Sequence, residues 1–100
     1  MKDKISMPLI EAMLQYKSED VYPLHTPGHK GGRGMQRLLR QELGGSVQMD
    51  VSLMSELDDI HEPETYIKEA QELAAQTYGS DACFWAVNGT SQAIHAMLLT

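Results

Sequence analysis

Residues 82–95 constrain the fold of this 100-residue chain more than any other stretch. The six apolar residues at 82–87 are typical of a short strand that is covered on both faces. The Asn-Gly pair that follows predicts a tight turn, because both residues tolerate positive φ. Thr90 or Ser91 is then expected to cap a helix with apolar residues on one side. The stretch therefore predicts a strand, a turn and the start of a helix.

A turn of this kind points free backbone N–H groups and two hydroxyl groups at one place. A phosphate group there would accept hydrogen bonds from Gly89, Thr90 and Ser91, and it would lie at the positive end of the helix dipole. The alternative is an ordinary capped helix that binds nothing. Residue spacing alone leaves both interpretations open.

The composition indicates a globular protein, since 42% of the residues are hydrophobic, and the formal net charge is −6. The negative charge disfavours a nucleic-acid partner, and neither a membrane-spanning run nor a signal-peptide core is present. The single cysteine, Cys83, lies in the apolar run and predicts a reducing, cytoplasmic setting. A lone strand cannot form a parallel sheet, so we expect this chain to be the N-terminal part of a longer protein.

The beginning of the chain predicts a helix and then an extended segment. Ser6 is expected to cap the helix, whose apolar face is suited to docking on another surface, such as that of a partner subunit. Pro23 and Pro27 favour extended backbone at 21–26. The apolar residues at helical spacing are Leu9, Ile10, Met13 and Leu14.

Residues 27–34 combine four glycines with two cations and a histidine, which predicts an irregular loop. One interpretation is that the loop brings His29, Lys30 or Arg33 to an anionic ligand or a cleft. The other is a solvated connection, and the residues favour neither. His25 and His29 are four residues apart, but a proline and a glycine separate them and no further ligand lies nearby, so no metal site is predicted.

The rest of the chain predicts two more helices and a possible strand. A helix at 35–43 is expected to end at the Gly-Gly pair that follows, and the alternating residues at 47–51 permit a brief strand. Pro63 is expected to begin a helix that runs to Tyr78 and ends at Gly79. The residues predicted to face inward are Met35, Leu38, Leu39, Leu43, Ile67, Ala70, Leu73, Ala74 and Thr77.

The sequence between these helices contains two adjacent carboxylates and a histidine. Asp58 and Asp59, close to His61, are suited to acid–base chemistry. They are equally suited to fixing a turn and capping the next helix, because aspartate commonly accepts bonds from nearby backbone N–H groups. We favour the structural role, since adjacent residues in a turn rarely face the same cleft.

Four motifs in a fixed order are more specific than any one of them. They are His25-Thr26-Pro27-Gly28-His29-Lys30-Gly31, Glu56-Leu57-Asp58-Asp59-Ile60-His61, Ala70-Gln71-Glu72-Leu73-Ala74-Ala75 and Val87-Asn88-Gly89-Thr90-Ser91. Over residues 24–99 the chain resembles the start of the ornithine/lysine/arginine decarboxylases, most closely the shorter bacterial members. The resemblance implies an α/β fold of the aspartate-aminotransferase type. Residues 1–34 would form an N-terminal helix and a glycine-rich arm, and residues 35–100 would begin the cofactor-binding major domain.

The resemblance also implies a chemistry and a cofactor. The complete enzyme would use pyridoxal 5'-phosphate to convert arginine, lysine or ornithine into carbon dioxide and a polyamine-type amine. Gly89, Thr90 and Ser91 would hold the cofactor phosphate. The family's Schiff-base lysine follows a Ser-x-His pattern far downstream, so no catalytic residue is expected in these 100 residues and the chain alone is predicted to be inactive. Lys30 precedes the first cofactor-binding strand and is not that lysine.

The same resemblance implies that two further segments lie near the active-site entrance or at the interface of a homodimer or larger homo-oligomer. Their candidate residues are His25, Pro27, Gly28, His29 and Lys30 in the loop, and Asp59 and His61 in the turn. Three alternatives stay open at this point. The protein could be an aminotransferase or lyase of the same fold type, a truncated interaction module without catalytic activity, or a phosphate-binding module unrelated to pyridoxal.

Overall fold

Helices make up the regular structure of residues 5–52 and 54–100, which are the residues that this computed structural model describes. The α-helices are α1 (Pro8–Ser18), α2 (Arg37–Leu43), α3 (Tyr66–Tyr78) and α4 (Gly89–Leu99), and two 3-10 helices span Lys30–Gly32 and Gly44–Met49. Residues 1–4 of the predicted N-terminal arm, together with Leu53, lie outside the described residues.

Helix α1 begins later than the sequence predicted. Its N-cap is Met7 rather than Ser6, and Pro8 occupies the first helical position, where the missing N–H breaks no intrahelical bond. Pro8 and Ala12 are buried where α1 packs against α3 and the 3-10 helix Gly44–Met49. The predicted apolar face is therefore only partly covered, because Ile10 and Leu14 remain exposed.

The segment after the glycine-rich loop departs from the prediction in two ways. Helix α2 buries none of its residues: its three leucines, all predicted to face inward, are exposed, and Met35 just before it is half-buried. Gly44 ends α2, as expected, but the chain continues as a 3-10 helix to Met49 rather than as a strand at 47–51. This turn of helix places Val47 in the core.

Helix α3 confirms the clearest helix prediction, although it begins at Tyr66 rather than Pro63. It ends at Gly79, which has a left-handed conformation with φ of 66° that glycine adopts without a side-chain penalty. Among the residues predicted to face inward, Ile67 is buried, Ala70, Leu73 and Ala74 are half-buried, and Thr77 is exposed.

A small apolar core joins α1, the second 3-10 helix, the loop before α3 and α3 itself. Its buried residues are Ala12, Val47, Leu57, Ile67 and Ala75. Helix α4 contributes no buried residue to this core. No helix within the described residues has the length and apolar character needed to cross a membrane.

The strand predicted at 82–87 does not form. The described residues contain no strand, and their single β-type contact is an isolated antiparallel bridge between Met54 and Asp58. A strand is stabilised by pairing with a neighbour, and this part of the chain offers none. Phe84, which was expected to be buried, is 81% exposed. The described part of the chain is therefore helical, and the predicted α/β fold is not observed in it.

Helix α4 also begins differently from the prediction. Its N-cap is Asn88 rather than Thr90 or Ser91, and Gly89 has a φ of 73° at the first helical position. The side-chain oxygen of Gln92 accepts the backbone N–H of Asn88 at 2.8 Å, which resembles one half of a capping box. The hydrogen bond that closes the turn thus joins Asn88 and Gln92. The side chains of Thr90 and Ser91, which lie between them, do not cap the helix.

Candidate functional site

Both cationic side chains of the glycine-rich loop contact residues 20–25, which precede the loop in the chain. Nζ of Lys30 donates a hydrogen bond to the carbonyl oxygen of His25. Nη2 of Arg33 lies 2.8 Å from Oδ1 of Asp20, and its guanidinium group lies 5.1 Å from the centre of the Tyr22 ring, a favourable cation–π distance. The two cations predicted to face an anionic ligand are therefore engaged by neighbours within the chain.

Backbone conformation also gives this loop a defined shape. Three consecutive residues, Lys30 to Gly32, have positive φ, and the Thr26–Pro27 peptide bond is cis. A Cβ atom added at Gly32 would lie 3.4 Å from the buried Val47 side chain. Gly32 therefore packs on the core, whereas Gly28, Arg33 and Gly34 are exposed, and both interpretations of the loop stay predictions.

His29 links the loop to the residue that follows the second 3-10 helix. Its Nε2 lies 2.8 Å from Oδ2 of Asp50, and the two side chains are 17% and 66% exposed. Because a carboxylate oxygen only accepts, Nε2 carries the hydrogen. Nδ1 of His29 is buried and has no hydrogen-bond partner among residues 5–52 and 54–100.

A small cleft with a cavity volume of about 50 Å³ lies between the end of α1, the extended segment and the loop. Its apolar lining consists of Val21, Pro23, Pro27 and Val51, and its charged lining consists of Lys17, Asp20, Arg33 and Asp50. Of the residues predicted for a site, His25, Pro27 and Arg33 line the cleft.

The carboxylate of Asp58 is the centre of a second, separate arrangement. Oδ1 accepts the backbone N–H groups of Asp59 and Glu64, both at 2.9 Å, and Oδ2 accepts those of Thr65 and Ile67 at 3.0 and 2.9 Å. These donors include N–H groups at the beginning of α3, which lack intrahelical acceptors. Asp58 is 7% exposed and has a φ of 78°. The structural role predicted for Asp58 is confirmed.

The environment of Asp58 keeps its carboxylate ionised. Burial raises the pKa of Asp58, but the four backbone N–H groups together outweigh burial and lower the pKa from 3.8 to about 2. A carboxyl group with such a pKa holds no proton near neutral pH, so Asp58 is unsuited to act as a general acid there.

Acid should therefore weaken the protein through Asp58. The pKa is lower in the folded state than in the unfolded chain, so the stabilisation is present above about pH 3.8 and is lost as the pH falls towards 2. We expect the thermal midpoint of the full-length protein to fall over this range, and to fall less in an Asp58→Asn variant. Identical acid dependence of the two proteins would contradict this assignment.

Asp59 and His61 lie in the exposed turn that follows. Oδ1 of Asp59 accepts the backbone N–H of His61 at 2.8 Å, so this carboxylate also stabilises a turn. The position of both residues near an active-site entrance or a subunit interface stays a prediction.

Gly89, Thr90 and Ser91 lie exposed at the N-terminus of α4. Their N–H groups precede the intrahelical hydrogen bonds, and no acceptor in the described part of the chain bonds them. A Cβ atom at Gly89 would meet no other atom within 4 Å. Three amides and two hydroxyls are therefore open to an incoming anion.

The structure keeps the three predicted sites apart. No hydrogen bond or ion pair within residues 5–52 and 54–100 joins the loop at 25–33, the turn at 58–61 and the turn at 88–91. The same residues contain no group of three or more His, Cys, Asp or Glu side chains placed to hold a metal ion.

Sequence reasoning missed the partners of the loop. Asp50 is 21 residues from His29, and Asp20 is 13 residues from Arg33. Contacts at such separations follow no helical or strand period, so the sequence carried no local signal for them.

Comparison with known proteins places these features in a family. The family model described as "Orn/Lys/Arg decarboxylase, major domain" matches residues 7–100. An arginine decarboxylase of Bacillus subtilis is 40% identical over 93 residues, which are 92% of this chain and 19% of that protein. An arginine decarboxylase of Bacillus cereus is 38% identical over 94 residues, 93% of this chain and 20% of that protein. A lysine decarboxylase of Hafnia alvei is 32% identical over 98 residues, 91% of this chain and 13% of that protein.

The chain thus spans about a fifth of the length of the arginine decarboxylases that it matches. No solved structure matches it.

Proposed function

The chain belongs to the ornithine/lysine/arginine decarboxylase family, and from this premise we propose that it is the N-terminal part of a pyridoxal-phosphate-dependent decarboxylase of a basic amino acid. The complete protein would act as a carboxy-lyase on arginine, lysine or ornithine and release carbon dioxide and a polyamine-type amine. The match of the decarboxylase family model to residues 7–100 is the observation that carries this proposal. The names of the relatives, arginine and lysine decarboxylase, support a substrate with a cationic side chain.

The turn at the start of α4 fits the phosphate of the cofactor. Gly89, Thr90 and Ser91 offer three N–H groups without acceptors and two exposed hydroxyls. Helix α4 is 11 residues long and has no acidic residue in its first turn, so the positive end of its dipole is not offset by a carboxylate. We propose that these three residues bind the phosphate.

Pyridoxal phosphate, when bound, supplies an electron sink for the electron pair that remains as carbon dioxide leaves. The role of these 100 residues would be to bind and orient the cofactor. The amides of residues 89–91 are fixed by the helix, so they would hold a phosphate in one position without reorganising. The hydroxyls of Thr90 and Ser91 would donate charge-assisted hydrogen bonds to its oxygens, which are stronger than bonds between neutral groups. The residues that react with substrate are proposed to lie in the remaining four-fifths of the protein.

We further propose that residues 82–87 become a strand of an α/β major domain in the full-length protein. Their backbone is non-helical, and they lack a strand partner in the described residues. Phe84 and Val87 are exposed although both are apolar. Neighbouring strands from the rest of the protein would pair with this backbone and cover both of its faces. We also propose that residues 1–34 form an N-terminal arm and that this domain begins at residue 35.

Assembly as a homodimer or larger homo-oligomer is also proposed. Support comes from the beginning of the chain, where the apolar residues Met7, Ile10 and Leu14, at the N-cap of α1 and within it, are exposed. Covering these side chains in a subunit contact would remove apolar surface from water.

The test is to assay the full-length protein with arginine, lysine and ornithine in parallel. We expect at least one of them to release carbon dioxide and the corresponding amine in equal amounts. Norleucine, which has a neutral side chain, is the control and should react poorly. Transfer of the amino group to a keto acid without release of carbon dioxide would contradict the proposal in favour of an aminotransferase.

A further inference from the structure

We propose that helix α2 is a docking surface for a second copy of the chain, and that it binds the acidic turn at residues 56–64 of that copy. In a symmetric dimer each subunit would contribute one α2 and one acidic turn, so the same contact would form twice. The inference rests on the homo-oligomer proposed above and deepens it, because it names the two surfaces that meet.

Helix α2 has an apolar surface that the described residues cover only in part. Its leucines Leu38, Leu39 and Leu43 are 64%, 47% and 45% exposed, and the helix buries none of its residues. The helix packs against the 3-10 helix Gly44–Met49, which follows it directly in the chain. Three leucines this close together form an exposed apolar patch, and such patches often mark sites of contact with other proteins.

The positive charges of α2 are unpaired. Arg37 and Arg40 are three residues apart, so they lie on the same side of the helix. Both residues are exposed, and neither forms an ion pair among residues 5–52 and 54–100. The helix carries one carboxylate, that of Glu42. The surface of α2 therefore combines leucine side chains with an excess of positive charge.

The turn at residues 56–64 carries the opposite charge. It contains five carboxylates and no lysine or arginine. The carboxylate of Asp58 is buried. The other four carboxylates belong to the exposed residues Glu56, Asp59, Glu62 and Glu64. No Lys or Arg of the described part of the chain forms an ion pair with any of them, so this turn has negative charge available for a partner.

A second copy of the chain is a partner that fits both surfaces. Within one chain, no ion pair of the described residues joins α2 to the acidic turn. Between two copies, complementary charges would steer and align the contact, while the leucines of α2 would be removed from water. A seven-residue helix is smaller than the roughly 800 Å² that each partner buries in a stable interface. A symmetric dimer answers this shortage, because each subunit contributes both of its surfaces.

The experiment measures self-association of the full-length protein. Sedimentation over a dilution series gives the dissociation constant, and exchange of fluorescently labelled subunits replaces it where dilution does not separate the subunits. Two charge-reversal variants are compared with the wild type, Arg37→Glu with Arg40→Glu and Glu62→Lys with Glu64→Lys. Each variant places like charges opposite each other at both contacts. We expect the dissociation constant or the exchange rate to rise at least ~10-fold.

An equimolar mixture of the two variants is the decisive sample. In the mixed dimer, one contact pairs the native arginines with the native glutamates, and the other pairs the introduced glutamates with the introduced lysines. Opposite charges therefore meet at both contacts, and we expect the mixture to associate within a few-fold of the wild type. A mixture that associates as weakly as either variant alone would overturn the inference, because the two surfaces would not meet.

Two further variants separate this contact from a general disturbance. Glu69→Lys with Glu72→Lys reverses two exposed carboxylates of α3, outside both surfaces, and should leave self-association unchanged. Leu38→Ala with Leu39→Ala should weaken self-association, since it removes apolar area from the contact. Alanines that lower the unfolding midpoint and leave self-association unchanged would show that the rest of the same chain covers α2, which would overturn the inference.

Failure of the inference is distinguishable from failure of the proposed function. An oligomeric protein whose self-association is unaffected by both charge reversals would overturn the inference and leave the proposed assembly in place. A protein that is monomeric at every concentration would overturn the inference together with the proposed assembly. Release of carbon dioxide from a basic amino acid is measured separately, and it tests the proposed decarboxylation in either case.

Discussion

Replacing Asp58 by alanine is expected to destabilise the full-length protein by about 3 kcal/mol or more, because buried donors would lose a charged acceptor. In the wild-type structure one carboxylate accepts four backbone N–H groups within 3.0 Å. Alanine offers no oxygen, and water would have to reach the beginning of α3 to replace it. Asp58 also has a φ of 78°, which is unfavourable for a residue with a side chain. An alanine at this position would keep the strained φ but would lose the hydrogen bonds that compensate for it.

Hydrogen exchange gives the sharpest measurement of this effect. The amide of Ile67, which donates to Oδ2 of Asp58, should exchange much faster in the Asp58→Ala variant, and the denaturation midpoint should fall. Asp59→Ala is the matched control, since the Asp59 side chain is exposed and accepts one N–H, that of His61. The Asp59→Ala substitution should lower the free energy of unfolding by no more than about 1 kcal/mol. Equal effects of the two substitutions would show that Asp58 does not organise the start of α3.

The elements that sequence predicted well are those with local causes. Helix α3 follows from the 3.6-residue repeat of apolar residues and from a glycine that stops it, and both features act within a few residues. The capping role of Asp58 was favoured for a similar reason, because aspartate bonds backbone N–H groups close by in the chain. The structure extends that role to Ile67, nine residues away.

The elements that sequence predicted poorly depend on distant partners. Residues 82–87 have the composition of a buried strand, but pairing requires a second strand that the described residues do not contain. The exposed leucines of α2 were mispredicted for the same reason. An apolar pattern predicts that one face of a helix is covered, but it does not identify the element that covers it. For both elements the apolar pattern gave a prediction that the described residues contradict, because they contain no partner that covers these side chains.

The candidate sites also differ in how far they could be predicted, according to whether they depend on local geometry or on distant contacts. The open amides at 89–91 could be predicted, since an Asn-Gly turn before a helix exposes them through local geometry alone. The engagement of Arg33 by Asp20 and Tyr22 could not, because it depends on how the extended segment folds back over the loop. The same is true of the bond between His29 and Asp50, which closes a loop of about 20 residues.

Replacing Thr90 and Ser91 together by alanine is expected to weaken pyridoxal-phosphate binding to the full-length protein about 100-fold. Each hydroxyl is proposed to donate one hydrogen bond to a charged oxygen, and two such bonds are worth about 3 kcal/mol together. The helix itself should persist, because alanine is favourable in a helix and neither hydroxyl caps α4. The measurement is the dissociation constant of the cofactor, obtained by titrating the cofactor-free protein and following its absorbance.

A variant in which the two residues are exchanged, Thr90→Ser with Ser91→Thr, is the matched control for this prediction. It keeps both hydroxyls and changes only the position of one methyl group, so its affinity should stay within a few-fold of the wild type. If the double alanine variant binds the cofactor as tightly as the exchanged variant does, the hydroxyls do not contact the phosphate. Gly89→Val would then test the amides alone, since a β-branched residue disfavours the φ of 73° on which their present geometry depends.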